Sequence, residues 1–344
     1  MKIGSFNSVA NMFAAVFAVG TVALSPCATA TTDNKPVTID NFVRAESDTA
    51  IQKVHHVAGL GKFFHIRTPV PLDKQDVIRM NRDTLYSSAV LDLSKPATVN
   101  LPDTGGRYMN LHVISQDHYM FATSKPGKHT LTQKQVGSRY AYLIVRTFVD
   151  ANDAKDIAAA NAMQDKLSIK AGTGLLDIPK WDQEQLKTAR EALNTLAKMG
   201  MDASRGLGTK EHVDPLQHLV SAAAGWGGLP EKNAFYEIEV AGKNDGTPHT
   251  LTVKDVPVDA FWSITVYNSK GYIEENDRGA YSYNNVTAAA NKDGSITINF
   301  GGCNDGRINC LPITKGWNYA VRMYEPRQQI LDRSWKFPAA QQSK

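Results

Sequence analysis

Tyrosine, asparagine and histidine alternate along Arg107–Ile114, a short stretch with the residue types of a β-strand. Successive side chains of a strand point to opposite faces, so Tyr108, Asn110 and His112 would share one face. Three hydrogen-bonding side chains in a row can form the floor of a polar ligand site. They can equally be the solvated face of a sheet. The sequence leaves both interpretations open.

A second polar block, NRDTLY, stands at the start of an apolar run. Asn81 and Asp83 are good turn formers, which gives them a structural role just before a strand. Tyr86 would lie on one strand face, from which it could reach a joint between domains. In an enzyme, His112 or Asp83 would be the general base and Tyr86 or Tyr283 the general acid.

The densest group of aromatic and polar residues lies in AFWSITVYNSKGYIEENDRGAYSYNN. Tyrosine and tryptophan offer flat surfaces with a polar end, and arginine can bind a carboxylate through two parallel hydrogen bonds. Such a set could bind a sugar or an anionic organic molecule. The alternative is a core of aromatics with a structural arginine. The candidate ligand-binding residues of this part are Trp262, Tyr267, Asn276, Arg278, Tyr283 and Arg322, which join Asn81, Tyr108 and Asn110.

The sequence contains none of the common cofactor and hydrolase motifs. It has no GxGxxG after a strand, Walker loop, HExxH, GxSxG or EF-hand pattern. His112 and His118 have no third ligand at a suitable spacing, and the adjacent His55 and His56 would point to different helix faces. We therefore expect neither a cofactor nor a bound metal.

The composition is that of an ordinary globular protein. The 344 residues are 42% hydrophobic and 21% charged, with a formal net charge of +4. A chain of this length favours two domains. Because no run of lysine and arginine is present, we expect no nucleic-acid partner.

The first thirty residues have the layout of a secretory signal peptide. Lys2 is their only charged residue, Met12–Leu24 is apolar, and Ala28 and Ala30 are suited to cleavage after residue 30. The apolar stretch is too short for a transmembrane helix, and no later segment is apolar enough to span a bilayer. A lipoprotein signal ending at Cys27 is disfavoured by Pro26. We therefore predict a periplasmic or secreted protein.

Two cysteines, Cys303 and Cys310, remain after removal of the signal peptide. A redox or metal-binding pair is one interpretation. A disulfide that closes a loop is favoured because the spacing is not CxxC and no histidine lies nearby.

The elements that would position these residues are mainly strands. A helix is predicted over 37–64, short strands over 72–148, helices over 150–200 and strands again from residue 234. Asp182 looks like a helix N-cap with Gln185 as its reciprocal partner, and WGGLP at 226–230 looks like a joint. The predicted fold is mainly β with a helical insertion and two β-sandwich or jelly-roll-like domains. The expected divisions are a signal peptide (1–30), a helical leader (31–70), a first sandwich (71–149), a helical insertion and joint (150–230) and a C-terminal jelly-roll-like domain (231–344).

Several separated motifs resemble one bacterial family. NRDTLYSSAVLDL and GGRYMNLHVIS resemble the DUF1254 domain, and FWSITVYNSKGY, DGSITINF and NCLPITKGWNYAVRMYEP resemble the DUF1214 domain. The resemblance implies a two-part β-sandwich or jelly-roll protein with a helical insertion that forms a homo-oligomer, and it implies no established reaction. Cys310 stands where relatives commonly have tryptophan, which fits an added disulfide.

Three functions are compatible with these residues. The first is a binding module for a small organic or sugar-like ligand, held between the β-domains by Tyr86, Tyr108, His112, Trp262, Tyr267 and Arg278. The second is a metal-independent hydrolase or lyase, in which Arg278 or Arg322 would hold developing negative charge. The third is a self-assembling structural protein of the cell envelope. We favour a pocket over assembly, and the sequence does not decide between binder and enzyme.

Overall fold

The computed structural model describes residues 34–75 and 78–343, so the expected signal peptide lies outside the described residues. Within these ranges, no helix has the length and apolar character needed to cross a membrane.

The described chain is rich in strands, with helices at its start and in its middle. The α-helices are α1 (Phe42–Ala58), α2 (Gln133–Val136), α3 (Ala154–Gln164), α4 (Gln183–Ala197), α5 (Ala203–Gly206), α6 (Pro215–Ala224) and α7 (Gln328–Leu331). The strands are β1 (Phe64–His65), β2 (Thr84–Asp92), β3 (Ala97–Leu101), β4 (Met109–Ser115), β5 (Met120–Thr123), β6 (Gly127–Leu131), β7 (Tyr140–Phe148), β8 (Ser168–Lys170), β9 (Ala234–Glu239), β10 (His249–Val253), β11 (Trp262–Tyr267), β12 (Ser282–Asn284), β13 (Ile296–Phe300), β14 (Cys310–Leu311), β15 (Asn318–Tyr324) and β16 (Gln341–Gln342).

The N-terminal sandwich packs a five-stranded sheet, β1-β2-β7-β4-β5, against a three-stranded sheet, β6-β3-β8. Leu91, Val113 and Leu143 of the larger sheet share one core with Val99 and Leu131 of the smaller one. Alternation along each strand sends every second residue of the larger sheet away from this core. That outer face positions the candidate site.

The C-terminal sandwich packs the sheet β14-β13-β10-β16 against the sheet β12-β11-β15-β9. Its core contains Leu251 and Ile298 from the first sheet and Ile264, Val321 and Met323 from the second. The prediction of a mainly β fold with two sandwiches is confirmed. The tail LDRSWKFPAAQQSK reads as a loop in the sequence, and part of it forms β16, which pairs with β10.

The outer face of β4 is buried. Met109, Leu111 and Val113 enter the sandwich core as alternation predicts. Tyr108, Asn110 and His112 lie on the other face with exposures of 9%, 0% and 0%. The solvated-face interpretation is therefore wrong, because other parts of the chain cover this face.

The helices begin and end differently from the prediction. The first helix spans Phe42–Ala58 rather than 37–64. Asp182 caps α4 by accepting hydrogen bonds from the backbone N–H groups of Glu184 and Gln185. The reciprocal half of the predicted capping box is wrong, since the Gln185 side chain instead accepts a hydrogen bond from the Val37 backbone at 2.9 Å.

Cys303 and Cys310 form a disulfide, as expected. The bond closes a short loop between β13 and β14, far along the chain from the polar residues of β4. It belongs to the wall of the C-terminal sandwich.

Candidate ligand site at the joint between the sandwiches

Side chains of the C-terminal sandwich donate hydrogen bonds to the backbone carbonyl oxygens of Arg79 and Met80. Arg322 donates a hydrogen bond from Nη2 to the Arg79 carbonyl at 2.7 Å, and the Tyr267 hydroxyl donates to the Met80 carbonyl at 2.9 Å. Arg322 also donates to the Tyr267 oxygen at 2.7 Å. Two of the predicted ligand-binding residues, Tyr267 and Arg322, therefore hold the two sandwiches together.

The side chains of Asn81 and Asp83 add further hydrogen bonds between the two sandwiches. We call residues 79–83, together with the residues that they hydrogen-bond in the C-terminal sandwich, the clasp. Asn81 donates to the Tyr324 hydroxyl at 2.8 Å and accepts from the Asp83 backbone at 2.8 Å. Asp83 Oδ1 accepts from the side chains of Asn284 at 3.2 Å and Ser282 at 3.3 Å. The turn-forming role expected of Asn81 is present, and both residues also bridge to the C-terminal sandwich.

Asp83 is buried among these partners. Burial raises the pKa of its carboxyl group, against the opposing influence of the Arg322 charge and of hydrogen bonds from Ser263, Asn284 and Ser282. Its hydrogen bonds with Asn284 and Ser282 and the nearby charge of Arg322 engage the carboxyl group inside the protein. The geometry makes Asp83 a connector between the sandwiches.

Two rows of side chains face each other across the joint. Directly paired positions on neighbouring strands of the N-terminal sheet are Tyr86, Arg146 and Asn110. The corresponding row of the C-terminal sheet is Tyr236, Arg322 and Ser263. The Arg146 charge lies near the phenols of both rows, Tyr86 and Tyr236 among them. Residues distant in sequence thus meet at one place.

An aromatic cluster closes one side of this place. Phe261 stacks on Tyr324 with ring centroids 4.3 Å apart, and it meets Tyr108 and Phe148 edge-on at 5.4 Å and 4.8 Å. Tyr108 and Phe148 belong to the N-terminal sheet, whereas Phe261 and Tyr324 belong to the C-terminal part. Such pairs contribute about 0.5–1.5 kcal/mol each beyond area burial, so the wall is rigid.

Arg146 lies at the centre of the N-terminal row and is only 6% exposed. It donates from Nη2 to the Gly227 carbonyl at 2.7 Å, and its guanidinium carbon lies 5.6 Å from the Tyr86 ring centroid. Gly227 belongs to the WGGLP segment, which the sequence indicated as a joint. The backbone of this segment therefore positions Arg146.

His112 contacts Arg146 through Nδ1 at 3.3 Å. A guanidinium group only donates hydrogen bonds, so Nδ1 is the acceptor and the proton of the neutral ring is on Nε2. Burial, with the neighbouring charge of Arg146, holds the pKa of His112 well below its usual value. The ring is thus a neutral donor in this geometry, which speaks against the general-base role proposed for it.

Several polar atoms on this face have no partner within the described chain. They are the Tyr108 hydroxyl, Asn110 Oδ1 and His112 Nε2. Buried polar groups without partners are uncommon, and each calls for a water, ion or ligand. Tyr236 keeps 38% of its surface exposed although Arg146 and Arg322 lie near its phenol.

Four predicted ligand-binding residues lie elsewhere. Trp262 packs into the C-terminal core against Phe337, with centroids 5.4 Å apart. Asn276 holds its own loop by accepting from the Arg278 backbone at 3.1 Å, and Tyr283 packs on the outside of the same core. Arg278 is exposed. The expectation that Trp262 and Arg278 share a pocket with Tyr86 is not met, because alternation turns Trp262 inward and a loop carries Arg278 away.

Arg146 and Tyr236 were missed by the sequence analysis. A signal existed for Arg146, since it is the only charged residue inside the apolar run AYLIVRTF. Tyr236 occupies an outward position in the alternating run AFYEIEV. Neither pattern says which face of the N-terminal sheet packs against the C-terminal sheet. The proximity of Arg146 and Tyr236 could therefore not be predicted.

No three histidine, cysteine, aspartate or glutamate side chains lie close enough together to hold a metal ion in the part of the chain that the structure describes.

Comparisons with known proteins agree with this architecture. The family described as protein of unknown function DUF1254 matches residues 60–171, and the family described as protein of unknown function DUF1214 matches residues 235–328. The chain therefore belongs to the two-domain DUF1254/DUF1214 family. No curated protein matches the chain.

Two solved structures are similar to the chain. The VPA0106 protein from Vibrio parahaemolyticus is 20% identical, with a TM-score of 0.66 over 89% of this chain and 100% of that chain. An uncharacterized protein from Burkholderia cenocepacia is 14% identical, with a TM-score of 0.48 over 84% of each chain. The first likeness supports the β-rich fold.

Proposed function

We propose that the protein binds a small polar organic molecule at the joint between its two sandwiches. The observation that carries this proposal is the buried row on β4, where Tyr108, Asn110 and His112 present polar atoms without partners. The proposal places the solvent opening of the site beside Tyr236, which is 38% exposed. A ligand with hydrogen-bonding groups would satisfy atoms that are costly to leave unpaired.

The enzyme alternative is supported less well by the same residues. A metal-independent hydrolase or lyase needs a base that reaches the substrate. His112 has its acceptor nitrogen occupied by Arg146, and Asp83 is a buried connector whose Oδ1 accepts hydrogen bonds from Asn284 and Ser282. The assembly alternative and the homo-oligomer implied by the family stay predictions.

We also propose that the protein is exported to the periplasm or beyond. The Cys303–Cys310 disulfide supports an oxidising compartment. Detection of the mature N-terminus by mass spectrometry of cell fractions tests this proposal, with cleavage near Ala30 as the expected result.

The binding proposal is tested by thermal-shift screening of the purified protein against sugars, organic acids, amides and aromatic alcohols. We expect at least one class to raise the unfolding midpoint in a saturable way. Tyr86→Phe and Tyr236→Phe should weaken the effect about tenfold if each removes one useful hydrogen bond.

Arg278→Gln is the matched control, since Arg278 is exposed in a loop away from the joint. It should leave binding unchanged. Equal loss in the control and in the two tyrosine variants would place the ligand elsewhere and contradict the proposal, as would a panel without any saturable binder.

A further inference from the structure

We propose that the ligand of the joint carries a carboxylate group, which Arg146 binds. This inference rests on the proposed function and specifies the class of ligand. It depends on the charge of Arg146, whereas the proposed function depends on unpaired neutral groups.

Among the described residues, Arg146 is a buried cation without a counter-ion. None of the ion pairs among the described residues includes Arg146. The carboxyl group of Glu325, which lies near Tyr108, accepts a hydrogen bond from Ser124 at 2.7 Å. A charge removed from water normally has an opposite charge or a full set of hydrogen bonds to offset the loss of hydration.

The neighbouring phenols do not supply that charge. Burial raises the pKa of Tyr108 and Tyr324 well above the ordinary value, so both rings remain protonated at neutral pH. They are neutral and can donate hydrogen bonds to an anion.

The hydrogen bonds of Arg146 leave some N–H donors of its guanidinium group without a partner among the described residues. Of five N–H donors, the described residues engage one on Nη2 through Gly227 and one on Nη1 through His112. A guanidinium group matches the two oxygens of a carboxylate in one plane. The remaining donors, with the Tyr86 hydroxyl beside them, form a receptor for one such group.

Arg322 is less suited to this role, although it faces the same space. Three of its five N–H donors are used by Thr265, Tyr267 and the Arg79 carbonyl, against two for Arg146. The buried carboxyl of Asp83 lies near enough to influence its charge. Arg322 is therefore part of the clasp, and Arg146 is the arginine that binds the ligand.

The body of the ligand should be apolar or aromatic. Next to Arg146 stand the rings of Tyr86 and Tyr108, and beyond them lies the wall formed by Phe261 and Tyr324. Flat hydrocarbon surfaces pack well against such rings. The geometry points to a small monocarboxylic acid with a ring or a short chain.

The test compares acids with their uncharged amides. Benzoate, cyclohexanecarboxylate and butyrate are titrated into the full chain at pH 7 by calorimetry, each beside its primary amide. We expect at least one acid to bind about tenfold or more tightly than its amide, since a hydrogen-bonded charge contributes roughly that much.

Variants assign the preference to one side chain. Arg146→Met should abolish the difference between acid and amide, Arg146→Lys should retain part of it, and Arg278→Gln should retain all of it. If Arg146→Met does not fold, the acid-to-amide ratio of the wild type and of Arg146→Lys decides the question.

The outcomes separate the two proposals. Amides or neutral compounds that bind as well as the acids, with loss in Tyr236→Phe, would overturn the carboxylate class and leave the joint as a binding site. An acid preference that survives in Arg146→Met would overturn the role of Arg146. Absence of binding by acids, amides and sugars would overturn both proposals.

Discussion

At the residue scale, one guanidinium group determines the chemistry of its neighbours. Arg146 fixes the tautomer of His112 because it can only donate to Nδ1. A histidine that looked like a base in the sequence is thereby a neutral hydrogen-bond donor. The role of a side chain at this joint depends on its partner more than on its own type.

His118 gives a pH-dependent prediction at the same scale. Burial, with the nearby His218, lowers the pKa of His118 to about 3, and its Nε2 accepts a hydrogen bond from the Gly227 backbone at 3.1 Å. The neutral ring therefore contributes stability that is complete above the unfolded pKa of about 6.5 and is lost as pH falls toward 3. We expect the wild type to lose up to about 1.4 kcal/mol of unfolding free energy per pH unit below 6.5 from this group.

Denaturant midpoints measured from pH 7.5 to 5 check this expectation. His118→Asn lacks the titrating ring, and asparagine tolerates the positive φ of 61° at this position. Its stability should fall less steeply than that of the wild type, even if it starts lower. His56→Asn, on the exposed side of α1, should show the wild-type slope. Parallel slopes for the wild type and His118→Asn would show that His118 binds equal numbers of protons in the folded and unfolded states across this window.

At the element scale, the segment between α6 and β9 acts as a backbone support for the site. Gly227 donates to His118 and accepts from Arg146, and its φ of 74° is in the left-handed region. A Cβ at this position would lie 3.2 Å from Ile144 Cδ1. Glycine thus suits the left-handed conformation, and a Cβ here would require the Ile144 side chain to shift by a few tenths of an ångström.

Gly227→Ala is expected to lower the unfolding free energy by more than the roughly 1–2 kcal/mol of left-handed strain alone. Gly137→Ala is the matched control, since Gly137 has φ 88° and ψ 0° but nothing within 4 Å of a Cβ. Chemical denaturation compares the two variants. Equal losses would mean that the contact with Ile144 adds nothing. Because the segment positions Arg146, Gly227→Ala should also weaken ligand binding, whereas Gly137→Ala should not.

The sequence predicted strands and their faces better than it predicted the site. Alternation assigned Tyr108, Asn110 and His112 to one face, and that face is shared in the structure. The same rule placed Trp262 opposite Phe261, but it did not say that the Trp262 side enters the core. Strand periodicity identifies two faces and leaves their partners open when both faces carry apolar residues.

The sequence also does not show which residues far apart along the chain contact each other. The clasp joins residues that are 187 to 243 positions apart along the chain. Asn81 was correctly seen as a turn former from local chemistry. Its hydrogen bond to Tyr324 depends on the docking of two sandwiches, which no local pattern encodes.

At the scale of the whole molecule, the clasp should couple the stability of the two sandwiches. Tyr267→Phe with Tyr324→Phe removes two hydroxyl groups that hydrogen-bond to Met80 and Asn81. Each lost bond costs about 0.5–1.5 kcal/mol. Although both substitutions lie in the C-terminal part, we expect faster amide hydrogen exchange at residues 79–84 of the N-terminal part.

Tyr319→Phe serves as the control for this prediction. Its hydroxyl accepts a hydrogen bond from the Ala340 backbone, entirely within the C-terminal part. Exchange should then change around residue 340 and not around 79–84. Unchanged exchange at 79–84 in the double variant would mean that the aromatic wall alone couples the sandwiches.

The clasp also has a consequence for how the chain can vary over evolution. Arg322 and Tyr267 recognise carbonyl oxygens at positions 79 and 80, which every amino acid possesses. Asn81 and Asp83, by contrast, are recognised through their own side chains. We therefore expect homologues to vary in sequence at positions 79 and 80 more than at positions 81 and 83.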